Sequence, residues 1–184
     1  MKPIYNVEAQ SISVSSSADL PKPLLEMSRS VAASRFLIGW REWLVLPEFD
    51  VPGIKAKVDT GARSSALHTA EYEIYETAAG DQRVRFVLHP IKGSQVVREC
   101  DAPVTGIREV KDSGGHAEQR PFITTTATIG LFSWPIDISL TNREGMRFRM
   151  LLGRAALKGY FVVDPDFSYL MSKSLLHCYK SPTR

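Results

Sequence analysis

From Phe36 onward the chain is a succession of short β-forming runs cut apart by turn residues, a pattern that leaves few folds open. Phe36-Leu37-Ile38-Gly39-Trp40 and Trp43-Leu44-Val45-Leu46 are rich in β-formers, and Pro47 closes the second run. Gly53-Ile54-Lys55-Ala56-Lys57-Val58 alternates apolar and charged positions. Tyr72-Glu73-Ile74-Tyr75 and Val84-Arg85-Phe86-Val87-Leu88 flank Ala79-Gly80-Asp81-Gln82, which reads as a hairpin turn. Further runs are Val96-Val97, Pro103 to Val110, Pro121 to Ile129, Trp134 to Leu140, Phe148 to Leu152, and Phe161-Val162-Val163. A short helix is expected at Leu152-Gly153-Arg154-Ala155-Ala156-Leu157. Short strands at regular spacing predict an all-β fold, a closed barrel or a sandwich.

The organisation is that of one domain. Of the 184 residues, 35–175 carry the strand pattern, and 176–184 form a C-terminal tail. Residues 1–34 differ in composition, with eight serines, Pro3, Pro21 and Pro23, and neither tryptophan nor phenylalanine. They are expected to form an N-terminal extension, flexible or docked as an arm, with a short helix over 24–33.

Charge excludes some classes of function. Twenty-three basic and 20 acidic residues give a net charge of +3, spread along the chain. Without a Lys/Arg run or an aromatic-interleaved basic stripe, nucleic acid is not an expected partner. No apolar stretch approaches the roughly 18–20 residues that span a bilayer, and no apolar core follows the first residues as in a signal peptide. Two cysteines, Cys100 and Cys178, do not make a disulfide scaffold and suit a reducing compartment. The expected location is cytoplasmic.

Against this background Asp59-Thr60-Gly61-Ala62 is the chemical landmark. The alternating run delivers Asp59 at a strand end, where its carboxylate is able to hold a water. The Thr60 hydroxyl fixes the turn, and Gly61 lets backbone approach closely or take a positive φ. Two such carboxylates brought together share one proton, because like charges a few ångströms apart do not both ionise. One chain supplies one of them. Asp112-Ser113-Gly114 has the composition of a second copy, but Glu109-Val110-Lys111 before it is not an apolar strand end. One such carboxylate per chain raises the question of oligomeric state, and the resemblance given below implies a homodimer with isologous contact.

Two motifs in order carry a resemblance: Lys57-Val58-Asp59-Thr60-Gly61-Ala62, and about ninety residues later Met150-Leu151-Leu152-Gly153-Arg154. Retropepsin-like aspartic proteases have this pair, an Asp-Thr-Gly loop and an apolar-apolar-Gly-Arg segment leading into a helix. Ile38-Gly39-Trp40-Arg41-Glu42, Leu46-Pro47, Ser113-Gly114-Gly115, Glu118-Gln119-Arg120-Pro121 and Leu151 to Leu157 narrow it further. Over about residues 36–170 the chain resembles the bacterial family labelled "ATP-dependent zinc protease", also called RimB-like. The resemblance implies a closed retropepsin-like barrel and a peptidase, with some relatives encoded beside ATP-grasp ligases that add glutamates to protein or peptide ends. The implied substrate is a glutamate-modified or C-terminal peptide segment. ATP dependence would need a phosphate cradle, and no Gly-x-x-x-x-Gly-Lys-Ser/Thr is present. His68, His89, His116 and His177 are scattered, and none lies in a His-Glu-x-x-His pattern. His177 and Cys178 are adjacent, which on an extended chain points them to opposite sides. Neither cofactor nor metal is expected, although distant ligands leave a zinc-dependent hydrolase open as an alternative. A peptide-binding module without catalysis is the other.

The expected site follows. Asp59 activates water with its symmetry mate, Thr60 hydrogen-bonds across the dimer beneath the aspartates, and Gly61 permits the loop. Ala62, Arg63 and His68 follow the loop and are expected to meet substrate, with Arg63 and His68 suited to an acidic one. For His68 an ordinary surface histidine is the competing reading. Arg108 to Glu118 lies where a retropepsin has its flap, and Gly114-Gly115 suits a tip that must open and close. There Ser113, His116, Glu118 and Arg120 would face the cleft, an ordinary polar hairpin being the alternative. Gly153 and Arg154 are expected to be structural, Arg154 through an ion pair or a dimer contact.

Overall fold

The computed structural model describes residues 35–111, 114–142, 145, 147–171 and 173–179. The expected helix over 24–33, the arm, and the calls on Asp112 and Ser113 lie outside these residues. Among them the chain forms twelve strands and one short helix. In order these are β1 (Phe36–Gly39), β2 (Arg41–Leu46), β3 (Val51–Asp59), β4 (Ser65–His68), β5 (Tyr72–Glu76) and β6 (Gln82–Leu88). They continue with β7 (Arg98–Pro103), β8 (Gly106–Lys111), β9 (Ala117–Ile129), β10 (Phe132–Thr141), β11 (Met150–Gly153), helix α1 (Arg154–Leu157) and β12 (Phe161–Asp164).

Period-two patterning decides which side of each strand is buried. In β6, Val84, Phe86 and Leu88 turn inward while Arg85 stays in water, and in β10 Trp134, Ile136 and Ile138 are inside while Pro135 and Asp137 are out. The largest sheet runs β10-β4-β11-β3-β2-β9-β8, and β9 also pairs with β10. Six strands thus pair in a complete circuit. The β2–β9 link in that circuit is a single rung, Val45 opposite Thr128. Inside lie Leu44, Leu46, Ile54, Leu67, Ile123, Ile129, Ile138, Leu140, Met150 and Leu152, all fully buried. Each such side chain contributes about 1.5–3 kcal/mol of burial free energy. Strands β5, β6 and β7 make a separate three-stranded sheet, and β1 and β12 a parallel pair.

The hairpin turn expected around Gly80 is present, with Glu76 opposite Gln82. Three strand assignments need correction. Val96-Val97 is not strand. The run Pro103 to Val110 is cut in two, because the Val104 N–H bonds to Gln82 O in the small sheet while the Thr105 N–H bonds to Phe122 O in the large one. The chain changes sheets between those residues. Strand β4 has no counterpart among the expected runs. The tail is also tied down at its start, since Leu176–Tyr179 form a 3-10 turn and the Tyr179 hydroxyl donates to Gly53 O at 2.5 Å. In that turn Cys178 Sγ lies 3.4 Å from His177 Nε2, so these two side chains do not diverge as on an extended chain.

Candidate active site

Asp59 is the last residue of β3, and alternation puts Lys57 and Asp59 on the same outer face. Asp59 Oδ1 accepts the N–H groups of Gly61 and Ala62, both at 3.1 Å. Lys57 Nζ approaches Oδ2 at 3.3 Å. Partial burial pushes the carboxyl up. The Ala62 N–H, the Lys57 charge and its hydrogen bond, and the Gly61 N–H together outweigh that and hold it below the usual aspartate value. Glycine at 61 serves close approach: a Cβ there would sit 3.3 Å from Asp59 Oδ1.

The loop is shaped from far along the chain. Gly153 pairs with Asp59 in the parallel β11–β3 ladder. A Cβ on Gly153 would lie 2.4 Å from the Ser64 carbonyl, so only glycine fits. The Gly153 N–H donates to Ser65 Oγ at 3.1 Å, and Ser139 Oγ donates to Ser65 O at 3.1 Å. The backbone N–H groups of Arg154 and Ala155, at the start of α1, donate to Ala62 O and Arg63 O. Arg154 Nη1 donates to Thr60 O at 2.7 Å. The Arg154 contact seen here is therefore to a backbone carbonyl of its own chain, not an ion pair.

Asp59, Thr60, Gly61, Ala62, Gly153 and Arg154 are thus brought together. Arg63 is exposed beside them. His68 is not on the surface: it is 2 % exposed in the wall formed by β4, which removes it from the groups that meet a substrate. The hairpin β8–β9 exists, with Lys111 opposite Ala117 and Gly115 near its tip at φ +85°. His116 is exposed. Glu118 accepts from Arg120 Nε at 2.6 Å and from Thr141 Oγ1 at 3.1 Å. Gly114 lies in the turn.

Two contributors were missed by sequence reasoning. Lys57 was readable as the same-face neighbour two residues before Asp59. Ser65 carried no signal, because its role depends on β11 lying beside it. Among the described residues no group of three or more His, Cys, Asp or Glu side chains gathers as a metal ligand set. Among them also, no helix is long and apolar enough to cross a membrane.

A β circuit with an Asp-Thr-Gly loop held by a Gly-Arg strand end defines a retropepsin-like domain. Residues 37–174 match the RimB-like family, described as retropepsin-like aspartic endopeptidase RimB, and the chain belongs to it. "ATP-dependent zinc protease" is another name for the same family. A protein named probable alpha-L-glutamate ligase from Shewanella pealeana is 38% identical over 141 residues, which is 76% of this chain and 31% of that protein. One of the same name from Parasynechococcus marenigrum is 39% identical over 137 residues, 73% of this chain and 29% of its own length. The chain therefore spans about a third of the length of these relatives. A crystal structure of a Legionella pneumophila protein of unknown function matches with a TM-score of 0.63 at 27% identity, covering 76% of this chain and all of that one.

Proposed function

We propose that the chain is an aspartic peptidase whose active site forms between two copies, each contributing Asp59. The observation that carries this reading is the Asp59 carboxylate, oriented by the Gly61 and Ala62 amides at the open end of β3. One Asp59 is ionised and takes a proton from a water held between the two. The resulting hydroxide attacks the peptide carbonyl carbon while the partner's protonated Asp59 gives its proton to the carbonyl oxygen. Collapse of that intermediate breaks the C–N bond: the proton first taken from water goes to the leaving nitrogen, and one hydroxyl of the intermediate returns its proton to the partner's Asp59, leaving a carboxylic acid. Lys57 favours the ionised form and so keeps the base half of the pair available at low pH. Thr60 hydrogen-bonds between the copies beneath the aspartates, and the β8–β9 hairpin closes over the substrate.

The relatives' name supports a glutamate-bearing substrate. On this reading a ligase of the ATP-grasp class adds glutamates to a protein or peptide end and this chain removes them, in the cytoplasm. The test is mass spectrometry of a glutamate-tailed peptide after incubation with the full chain. Cleavage is expected with the unsubstituted chain and loss of at least about a thousandfold with Asp59→Asn. Turnover that survives Asp59→Asn sinks the mechanism. Mixing active chain with excess Asp59→Asn chain should lower activity beyond simple dilution, because mixed pairs carry one competent carboxylate.

A further inference from the structure

Among the described residues three cations belong to the Asp59 loop or are bonded to it, and two of them are engaged. Lys57 Nζ is 3.3 Å from Asp59 Oδ2, and Arg154 Nη1 donates to Thr60 O at 2.7 Å. The third, Arg63, is exposed, and its guanidinium has no acceptor among the described residues. A guanidinium stays charged at any physiological pH. His68, the other group expected to suit an acidic substrate, is buried in β4.

The backbone that carries Arg63 is fixed on both sides. Ala62 donates its N–H to Asp59 Oδ1 at 3.1 Å, and its carbonyl accepts the Arg154 N–H at 2.8 Å. The Arg63 carbonyl accepts the Ala155 N–H at 2.9 Å. The Arg63 Cα is therefore one residue, about 3.8 Å, past one whose amide touches the Asp59 carboxylate. Thr60 and Gly61 between Asp59 and Ala62 are exposed, so Asp59 and Arg63 are reached through solvent and not through the core. An extended peptide advances about 3.3–3.6 Å per residue, which puts residues one or two places from a bond held at Asp59 within reach of a guanidinium on a three-carbon stem. The paired N–H donors of a free guanidinium are the complement of a carboxylate.

We infer that Arg63 is the specificity residue of the site, reading the carboxylate of a substrate glutamate within two residues of the bond addressed by Asp59. The position relative to that bond rests on the peptidase reading; the carboxylate contact does not. Binding is measured by fluorescence anisotropy with the full chain carrying Asp59→Asn, which prevents turnover, and Lys57→Met, which removes the ammonium that the first change leaves unpaired. The probes are a labelled oligo-glutamate peptide and its oligo-glutamine counterpart. Both are amidated at the C-terminus, so that side-chain carboxylates alone distinguish them.

The glutamate peptide should bind at least about fivefold more tightly, the upper end for an exposed ion pair. Arg63→Gln should bring the two affinities within about twofold by weakening the glutamate peptide alone. Arg85→Gln, the same loss of charge on the three-stranded sheet, should leave the ratio intact. Both arginines are exposed, so neither change opens the core. Equal binding of the two probes, or binding of neither, overturns the assignment. So does a ratio that survives Arg63→Gln, or one that Arg85→Gln lowers as much. In the unsubstituted chain, a glutamine peptide should be cut fastest when its one glutamate lies within two residues of the cut. Cleavage indifferent to that glutamate removes Arg63 and leaves the peptidase, whereas Arg63-dependent binding without cleavage keeps the carboxylate contact and removes the peptidase.

Discussion

Removing the carboxylate of Glu42 should unfasten the two ends of the domain from each other. Glu42 is fully buried on β2. Its Oε1 accepts the Gly39 N–H at 2.8 Å and the Leu170 N–H at 2.9 Å, and so joins the end of β1 to the segment that follows β12. Its Oε2 is buried without a hydrogen-bond partner among the described residues. In Glu42→Ala both N–H groups lose their acceptor, at about 1–3 kcal/mol each. The Leu170 amide is only partly buried, so the sum belongs in the lower half of roughly 2–6 kcal/mol. At about 2–4 °C per kcal/mol for a chain of this size, the melting midpoint should fall by roughly 5–15 °C. Glu42→Gln keeps an oxygen for both donors and adds an amide N–H₂ where Oε2 had no partner, so its loss should be smaller. Differential scanning calorimetry at neutral pH gives the ordering, and hydrogen exchange at the Gly39 and Leu170 amides locates it. An alanine variant that melts within a degree of the unsubstituted chain, or above the glutamine variant, would refute the reasoning.

Three further outcomes are expected. Gly153→Ala drives a Cβ to 2.4 Å from the Ser64 carbonyl, so it should cost about 1–3 kcal/mol in urea unfolding and depress any Asp59-dependent turnover far more than its stability loss explains. Lys57→Met removes the charge beside Asp59, so the Asp59 carboxyl resonance should titrate at higher pH than in the unsubstituted chain; the stability Asp59 contributes above its ordinary value of 3.8, lost as pH falls, should shrink with it. Burial pushes the Tyr179 phenol up to about 12, so its contribution is intact below the unfolded value of 10 and disappears as pH climbs from 10 through 12. Tyr179→Phe should flatten that alkaline decline in thermal scans, and an unchanged decline would assign it elsewhere.

The parts of the fold that sequence revealed are those where one strand carries its own signal. Val84, Phe86 and Leu88 alternate with Arg83, Arg85 and the half-buried Val87, and the turn at Gly80 is local, so the β5–β6 hairpin was readable. The Asp59 loop was readable because Gly61 permits a close backbone approach, and Gly153-Arg154 through the resemblance to retropepsin-like proteases. Strand β4 was not, because Ser65-Ala66-Leu67-His68 is buried on both faces and its polar ends are satisfied by neighbours that only the tertiary fold supplies. The same holds for His68, whose polarity gave no hint of its 2 % exposure. The change of sheet at Val104 and Thr105 depends on two partners, Gln82 and Phe122, that lie on opposite sides of it in sequence.

The bond from Arg154 to Thr60 O closes a separation of 94 residues, and it shapes the loop that carries Asp59. Loop closure of that length comes late, since non-local contacts form only after their entropy has been met by the rest of the fold. During synthesis Asp59 emerges well before Gly153 and Arg154 exist to seat it. A nascent or truncated chain ending before β11 holds the aspartate without the geometry around it. On the peptidase proposal, the growing polypeptide therefore holds Asp59 unseated until β11, the last strand of the circuit, has been made.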